Sequence, residues 1–206
     1  MRPPTRHAWL SALVAAAFLA LPASAAEAAC GSTQYRPADH QPKRGRPPLA
    51  IGDSTMLLAM PALSRAGFNV DAHGCRGMEE GLAILRRRRH LHRLPHLVVI
   101  ALGTDFTINR SQIKRALHYL GPHRRLGLVT PWELGGYAGG DARNIRAAAD
   151  DYKKRVLLLD WVKFSRGKSS WFQPDGCHLT FAGARAFARL FRKALPFSQA
   201  PLPADS

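Results

Sequence analysis

The chain has 206 residues, 46% of them hydrophobic, and its 30 Lys and Arg residues against 14 Asp and Glu give a formal net charge of +16. Residues 29–206 are enough for one domain with a substantial core, and nothing in that range reaches the length of a membrane span. A surface this basic is suited to bind nucleic acid, anionic lipid or an acidic wall polymer. The sequence has no zinc-finger or RNP-type motif, so we predict no nucleic-acid partner. It also has no Walker or dinucleotide-binding motif, and we predict no cofactor.

Residues 1–28 have the pattern of a secretion signal. A basic start is followed by an apolar run at 9–21, and small residues then allow cleavage after Ala25 or Ala28. The run is short for a membrane span, and Glu27 stands where a lipoprotein signal usually has a bulky aliphatic residue, although an uncleaved anchor or a lipid anchor stays open. We expect a secreted protein of the cell envelope, without stable membrane insertion after cleavage.

The next segment, 29–47, is polar and rich in Pro, Arg and Gly, and it predicts an extended N-terminal tail without a core of its own. Three cysteines follow the signal, Cys30, Cys75 and Cys177, so one intramolecular disulfide can form and one thiol is left over. A Cys30–Cys75 bond would tie the tail to the domain and is preferred, but the sequence leaves the pairing open. No cysteine or histidine cluster has metal-ligand spacing, so no metal site is predicted.

From residue 48 to 196 the chain alternates between strand and helix patterns. Short apolar runs predict strands at 49–52, 68–72, 97–102, 126–130 and 155–160. The spacing of apolar residues predicts helices at 55–66, 77–89, 111–120, 141–151 and 180–195. This order is typical of a three-layer α/β/α sandwich around a five-stranded parallel sheet. Residues 197–206 predict a flexible C-terminal tail.

Four consecutive arginines, 86–89, lie at the end of the second predicted helix. Positive charge is favourable there because the last turn of a helix carries a partial negative charge, and such a face is usually solvated. The alternative interpretation is that the basic surface attracts an anionic cell-wall polymer.

Polar and small residues cluster where the predicted strands end. Asp53 and Ser54 follow the first strand, and Gly103, Thr104 and Asp105 follow the third. In parallel sheets of this kind, ligands bind beyond the carboxyl ends of the strands. We therefore expect the functional site at this edge of the sheet.

Ser54 has two interpretations, because it stands where the first strand gives way to a helix. Ser and Asp are favoured helix N-caps. A serine hydroxyl there can also act as a nucleophile, since the free N–H groups of a helix N-terminus favour developing negative charge. His178 supports the second interpretation, because a neutral imidazole can take the hydroxyl proton while Asp175, three residues earlier, orients it. We predict a catalytic triad of Ser54, His178 and Asp175.

The three blocks at 52–54, 103–105 and 175–178 resemble, in type and order, those of SGNH (GDSL-type) hydrolases. The similarity is greatest to the SGNH domains of peptidoglycan O-acetyltransferases, and it extends over 49–195. The resemblance implies a flavodoxin-like fold, acyl transfer to water or to a sugar hydroxyl, and no cofactor.

The resemblance also implies an oxyanion hole, with two departures from the family pattern. Its donors would be the backbone N–H of Ser54, the backbone N–H of Cys75, which replaces the usual Gly, and the side chain of Asp105, which replaces the usual Asn. A backbone donor survives at Cys75, and with a small shift of register Gly74 or Gly77 would supply it instead. Asp105 donates only if it is protonated, and the loss of one such donor typically costs about 2.7–4 kcal/mol of transition-state stabilisation.

Three tryptophans, Trp132, Trp161 and Trp171, follow the fourth and fifth strands or precede the His178 loop. As exposed aromatics they would form a wall against a sugar ring or an acyl group. Packing in the core explains them equally well.

Together these features predict a secreted serine esterase, or an O-acyltransferase, that acts on small acyl groups of a cell-surface glycan. The expected substrate is an acylated glycan or a small ester. Hydrolysis is favoured over transfer, because the sequence has no membrane partner to deliver acyl groups. The main alternative is a catalytically weak or inactive glycan-binding or cell-wall-binding module on the same fold. A third is a lipase or thioesterase for long chains.

Overall fold

The computed structural model describes residues 30, 31 and 33–198. The predicted signal sequence at 1–28 and most of the predicted C-terminal tail, 199–206, lie outside the described residues. Within the described part of the chain, no helix is long and apolar enough to cross a membrane.

A six-stranded sheet forms the centre of the molecule. Its strands are β1 Gln34–Arg36, β2 Leu49–Gly52, β3 Asn69–Ala72, β4 Leu97–Ala101, β5 Arg125–Val129 and β6 Val156–Leu159. The strands lie in the order β1-β3-β2-β4-β5-β6, with β2 to β6 parallel and β1 antiparallel to β3. Without β1 this is the flavodoxin-like order 2-1-3-4-5. The predicted fold class is therefore confirmed.

Helices cover both faces of the sheet. They are α1 Ser54–Leu57, α2 Met60–Arg65, α3 Met78–His90, α4 Arg110–Leu120, α5 Gly140–Asp151, α6 Trp161–Ser165 and α7 Phe181–Arg192. Apolar side chains of α1, α2, α6 and α7 pack on one face, and those of α3, α4 and α5 pack on the other. Strands β2, β4 and β5 are buried along their whole length, as continuous apolar runs between two helix layers predict.

Two helical features differ from the sequence predictions. The helix predicted at 55–66 is divided into α1 and α2, because Pro61 has no N–H to continue the hydrogen-bond ladder and stands in the first turn of α2. The short helix α6 was not predicted. Asp160 caps it, since its carboxylate accepts the N–H of Lys163 at 3.0 Å.

The segment 29–47 supplies the sixth strand, so the prediction of five strands was one short. The side chains of β1 are exposed, and the apolar alternation that marks a strand in a sequence is therefore missing there. Gln34 lies opposite Ala72, and the antiparallel direction then carries the chain towards the amino ends of the strands. Before β1, Cys30 is bonded to Cys75, the pairing preferred from the sequence. The tail thus runs along one side of the sheet from the carboxyl edge to the amino edge.

Candidate active site

Ser54 is the first residue of α1 and directly follows β2. The preceding residue, Asp53, is the N-cap, and its carboxylate accepts the N–H and the hydroxyl of Thr55 at 3.1 and 2.7 Å. Because Asp53 takes the capping role, the Ser54 hydroxyl is available to another partner. The Ser54 N–H is one of the donors that a helix N-terminus leaves unpaired.

The three side chains predicted as a triad meet at the carboxyl edge of the sheet. Ser54 Oγ lies 2.8 Å from His178 Nε2, although the two residues are 124 positions apart in the sequence. His178 Nδ1 lies 2.8 Å from Asp175 Oδ2. When Nδ1–H donates to the carboxylate, Nε2 is the atom that accepts the Ser54 hydroxyl proton.

The loop that carries His178 also holds the Asp175 carboxylate. Asp175 Oδ1 accepts the backbone N–H groups of Cys177 and His178 at 3.0 and 2.9 Å. Burial raises the pKa of Asp175, but the hydrogen bonds from Cys177 and His178 outweigh it and lower this pKa to about 2. The carboxylate is therefore ionised wherever an imidazole is neutral, and it can stabilise an imidazolium.

A close contact between two glycines positions the same loop. Gly176 and Gly136 have φ values of 74° and 76°. A Cβ on Gly176 would lie 2.9 Å from the Cα of Gly136. Both observations favour glycine at these positions. The loop after β5 thus supports the backbone between Asp175 and His178, a contact that the sequence analysis did not predict.

Cys177 lies within the His178 loop, but its thiol is buried. Burial, and then the nearby charge of Asp175, raise the pKa of this thiol to about 11, so it is protonated and a poor nucleophile. Asp175, Cys177 and His178 are also the one group of potential metal ligands found in the described residues, with ligand atoms within 4.8 Å of one another. The carboxylate and the imidazole of this group are already engaged in the hydrogen bonds to each other and to Ser54.

The second block forms a turn beside the end of β2. Cys75 has a left-handed φ of 55°, and its backbone N–H has no hydrogen-bond partner among the described residues. Next to it, Arg76 is buried and donates to the carbonyls of Gly52 and Asp71 at 3.2 and 2.7 Å. It also pairs with the Asp71 carboxylate at 2.9 Å. Arg76 ties the turn to the ends of β2 and β3, and the sequence analysis missed it because most arginines are surface charges.

Two buried carboxylates anchor the loop at 103–109, which carries the third block. Asp53 accepts the N–H of Thr104 at 3.3 Å, and Asp141 accepts the N–H of Ile108 at 2.8 Å. Burial is the main cause that raises the pKa of both carboxyls, to about 6 for Asp141. The backbone on either side of Asp105 is therefore held in place.

Asp105, predicted as the third oxyanion group, is exposed at the carboxyl edge. Its negative charge reaches the site, since it contributes to the raised pKa of Asp53 and to that of Cys177. The resemblance places an amide donor at this position in the family. This chain has the carboxylate of Asp105 there, which opposes negative charge nearby.

Of the three tryptophans predicted as a sugar-stacking wall, Trp161 is buried in the core, whereas Trp132 and Trp171 are half-buried and make contacts within the fold. Trp132 Nε1 donates to Ser165 Oγ at 2.7 Å. Trp171 stacks on Trp161 with ring centroids 5.8 Å apart and an angle of 14°. These contacts account for packing, and a role of either residue in substrate binding stays a prediction.

Two exposed aromatic residues that the sequence analysis did not select flank the site. Phe106, next to Asp105, is 53% exposed, and a Cβ at Gly77 in the second-block turn would lie 3.5 Å from its ring. Tyr137 is 57% exposed and follows Gly136, which contacts the His178 loop. Their position in loops that follow strands is the sequence signal that could have identified them as site residues.

Comparisons with known proteins agree in sequence and in fold. The peptidoglycan O-acetyltransferase OatA of Listeria monocytogenes is 28% identical over 149 residues, which cover 71% of this chain and 24% of that protein. The chain therefore spans about a quarter of the length of the curated relatives it matches. No family model matches the chain.

Among solved structures, the C-terminal catalytic domain of Streptococcus pneumoniae peptidoglycan O-acetyltransferase A, with a methylsulfonyl adduct, has a TM-score of 0.62 and 23% identity. That match covers 75% of this chain and 95% of the solved chain. A putative SGNH hydrolase from Slackia heliotrinireducens has a TM-score of 0.52 and 17% identity, over 72% of this chain and 97% of that one. The resemblance predicted from the three blocks is thus confirmed: the chain has the fold of SGNH (GDSL-type) hydrolases and is related in sequence to the peptidoglycan O-acetyltransferases.

Proposed function

We propose that the chain is a serine esterase of the cell envelope that removes small acyl groups from peptidoglycan or a related glycan, or transfers them between its sugars. The observation that carries the proposal is the pair of 2.8 Å contacts that joins Ser54 through His178 to Asp175. The relationship to proteins named peptidoglycan O-acetyltransferases supports acyl chemistry and a glycan substrate.

In the proposed reaction, His178 Nε2 accepts the proton of the Ser54 hydroxyl while Oγ attacks the ester carbonyl. The N–H groups of Ser54 and Cys75 stabilise the oxyanion. The bond to the sugar oxygen then breaks, and that oxygen takes the proton from the imidazolium, which leaves an acyl group on Ser54. A water molecule then attacks the acyl carbonyl and gives a proton to His178. The bond between the acyl carbon and Oγ breaks, Oγ takes the proton back from the imidazolium, and the carboxylic acid leaves. A sugar hydroxyl in the place of water completes a transfer. Asp175 stays ionised throughout.

The openness of the site favours hydrolysis when no acceptor sugar is bound. The side chains of His178 and Asp175 are 30% and 38% exposed, so water reaches an acyl group on Ser54. Retention of the acyl group for transfer would require a bound sugar to exclude that water.

The surroundings of Ser54 favour a small acyl group. The apolar gap between Thr55, Trp132 and Cys177 has a volume of about 10 Å³, which is about the space of one water molecule. A long alkyl chain would find no enclosed channel there, which argues against a lipase or a long-chain thioesterase. Phe106 and Tyr137 offer exposed rings on which a sugar could stack beside the acyl site.

Asp105 supports a second candidate function, a glycan-binding module with little or no activity. A carboxylate near the oxyanion opposes the charge that develops in the transition state, whereas binding of a neutral sugar is unaffected by it. The two candidates differ in whether Ser54 is needed.

Release of p-nitrophenol from p-nitrophenyl acetate, and of acetate from O-acetylated peptidoglycan, tests the proposal. Ser54→Ala should lower both rates by at least about 10³-fold, since a nucleophile has no substitute. Ser169→Ala, which removes an exposed serine outside the site, should leave both rates unchanged. Equal rates in Ser54→Ala and the parent would overturn the proposal. No release between about pH 5 and 9, with glycan binding intact in Ser54→Ala, would favour the module.

A further inference from the structure

A groove of three adjoining cavities lies at the amino ends of the strands, on the opposite side of the sheet from Ser54. The cavities have volumes of about 960, 670 and 350 Å³. Arg46 and Pro95 line both the first and the second, and His92 and Arg124 line both the second and the third. We call this surface the amino-edge groove. Ser54 is not among its lining residues.

The lining of the amino-edge groove is almost entirely basic or neutral. Its cationic and titratable basic residues are Arg44, Arg46, Arg87, Arg88, Arg89, Arg93, Arg124, His90, His92, His96 and His123. Among the described lining residues the one carboxylate is Asp71, which is already paired with Arg76 at 2.9 Å. A concave surface lined by one sign of charge concentrates the field and attracts counter-charge.

Three of the groove arginines have no partner in the described part of the chain. The side chains of Arg46, Arg87 and Arg93 are exposed and make neither a hydrogen bond nor an ion pair there. By contrast, Arg89 donates to the carbonyl of His118 at 2.7 Å, and Arg124 donates to that of Leu120 at 3.1 Å. The groove therefore combines anchored cations with cations that are free to bind a ligand.

The helix dipole does not account for this arrangement. It explains a positive charge or two in the last turn of α3, where 87–89 lie. Arg46 comes from the N-terminal tail, Arg93 from the segment before β4 and Arg124 from the segment before β5. Separate segments of the chain thus bring their charges to one groove.

We propose that the amino-edge groove binds a linear phosphodiester polymer that carries no bases. Guanidinium groups bind phosphate oxygens through paired hydrogen bonds, and a series of them suits a polymer with a repeating phosphate. A flat anionic membrane cannot reach arginines inside a concave groove. Single-stranded nucleic acid binds through the stacking of its bases on aromatic side chains. Apart from histidines, the one aromatic residue in the described lining is Tyr35, and the guanidinium of Arg88 covers its ring at 5.7 Å.

The proposal does not depend on the acyl chemistry at Ser54, because no residue of the proposed triad or of the proposed oxyanion donors lines the groove. A polymer in the amino-edge groove would leave the carboxyl edge open to the glycan. Loss of one activity should therefore leave the other unchanged.

Titration of the protein with long-chain inorganic polyphosphate at several salt concentrations tests the groove. The triple variant Arg46→Ala/Arg87→Ala/Arg93→Ala should bind at least about tenfold more weakly at low salt, and the slope of log K against log salt should fall by about 2, since three phosphate contacts are lost. The triple variant Arg143→Ala/Arg166→Ala/Arg185→Ala loses the same charge from exposed positions outside the groove and should keep the slope. Replacement of the three groove arginines by lysine should also keep it.

Several outcomes would overturn the proposal. Equal weakening by the two alanine triples would mean that net charge alone attracts the polymer. If the parent does not bind polyphosphate at low salt, the groove is not a binding site for this polymer. If a single-stranded oligonucleotide binds more tightly than polyphosphate of equal charge, the groove binds nucleic acid instead. If anionic vesicles bind the parent but not the triple variant Arg46→Ala/Arg87→Ala/Arg93→Ala, the groove binds a membrane instead. Hydrolysis of p-nitrophenyl acetate, measured on each variant, should be the same as in the parent.

Discussion

The two edges of the sheet use charge in opposite ways. At the carboxyl edge, carboxylates such as Asp53 and Asp175 are fixed by hydrogen bonds to defined partners. At the amino edge, arginines from separate segments line a groove, and Arg46, Arg87 and Arg93 have no partner in the described residues. The first arrangement suits chemistry at one atom, whereas the second suits attraction of a long, flexible polyanion. The basic residues of the groove thus lie at the opposite edge of the sheet from the proposed triad.

The N-terminal tail connects the two edges. It begins at the disulfide to Cys75 in the second-block turn, continues as β1 and then supplies Arg44 and Arg46 to the amino-edge groove. Substitutions of carboxyl-edge residues outside the tail should leave the groove unchanged, and loss of the disulfide should act mainly on the Cys75 turn.

The largest expected effect confined to the carboxyl edge is that of Asp175→Asn. An amide would hold His178 in the wrong tautomer, so kcat/KM for p-nitrophenyl acetate should fall on the order of 10⁴-fold while polyphosphate binding stays the same. An Asp175→Asn protein that keeps a tenth of the activity would show that Asp175 does not orient the base.

The lowered pKa of Asp175 also predicts how stability depends on pH. This pKa is about 2 in the folded protein, against 3.8 ordinarily, so the stability it contributes is present above about pH 4 and is lost as the pH falls through about 2. Urea unfolding of the parent should lose more stability between about pH 4 and pH 2 than unfolding of Asp175→Asn. Equal losses in both proteins would contradict this assignment.

Asp105→Asn should increase activity. An amide donor in place of the carboxylate should raise kcat by about 10- to 10³-fold, because a single oxyanion donor contributes on this scale. Asp150→Asn removes an exposed carboxylate from α5 and serves as the charge control, with no change expected. A fall in kcat for Asp105→Asn would indicate that the carboxylate itself takes part in the reaction.

Cys30→Ser tests the connection between the edges. Loss of a disulfide that joins residues 45 positions apart should lower the free energy of unfolding by about 2–4 kcal/mol. The Cys75 turn loses its tether, so esterase activity should fall, whereas polyphosphate affinity should stay close to that of the parent because β1, Ala38 and Asp39 remain hydrogen-bonded to the domain. Treatment of the parent with a thiol reductant should reproduce both losses. Unchanged urea unfolding in Cys30→Ser would rule out this role of the tail.

Gly176→Ala should have a smaller effect, centred on the His178 loop. The positive φ and the 2.9 Å approach to Gly136 together should cost about 1–3 kcal/mol and lower kcat more than KM. Gly167→Ala is a matched control, because Gly167 also has a positive φ of 72° but no atom within 4 Å of its added Cβ. Equal losses of kcat in the two variants would mean that the contact with Gly136 does not position His178.

The sequence predicted those parts of the fold that have a strong periodic pattern. The buried strands and the block order placed Ser54, Asp175 and His178 at one edge, because parallel strands share the direction of their carboxyl ends. The exposed strand β1 was missed, since hydrogen bonding to β3 leaves no mark in an exposed sequence. The break at Pro61 was readable in principle from the missing N–H.

The less predictable features depend on the direction of side chains. Trp171 and Phe106 are both aromatic residues near a block, but one stacks on Trp161 and the other is exposed. Arg76 is buried, although an arginine between Cys75 and Gly77 would ordinarily be expected at the surface. The basic composition left an anionic polymer open as an alternative partner, whereas the position of the groove at the amino edge follows only from the strand order.

Detection of the acyl-enzyme tests the central claim most directly. The protein is mixed with p-nitrophenyl acetate, quenched in acid within the burst, digested and analysed by mass spectrometry. The account predicts one acetyl group on the peptide that contains Ser54, and no acetyl group on the corresponding peptide of Ser54→Ala. Hydrolysis without an acetyl group on Ser54, or equal acetylation of another residue in both proteins, would contradict it.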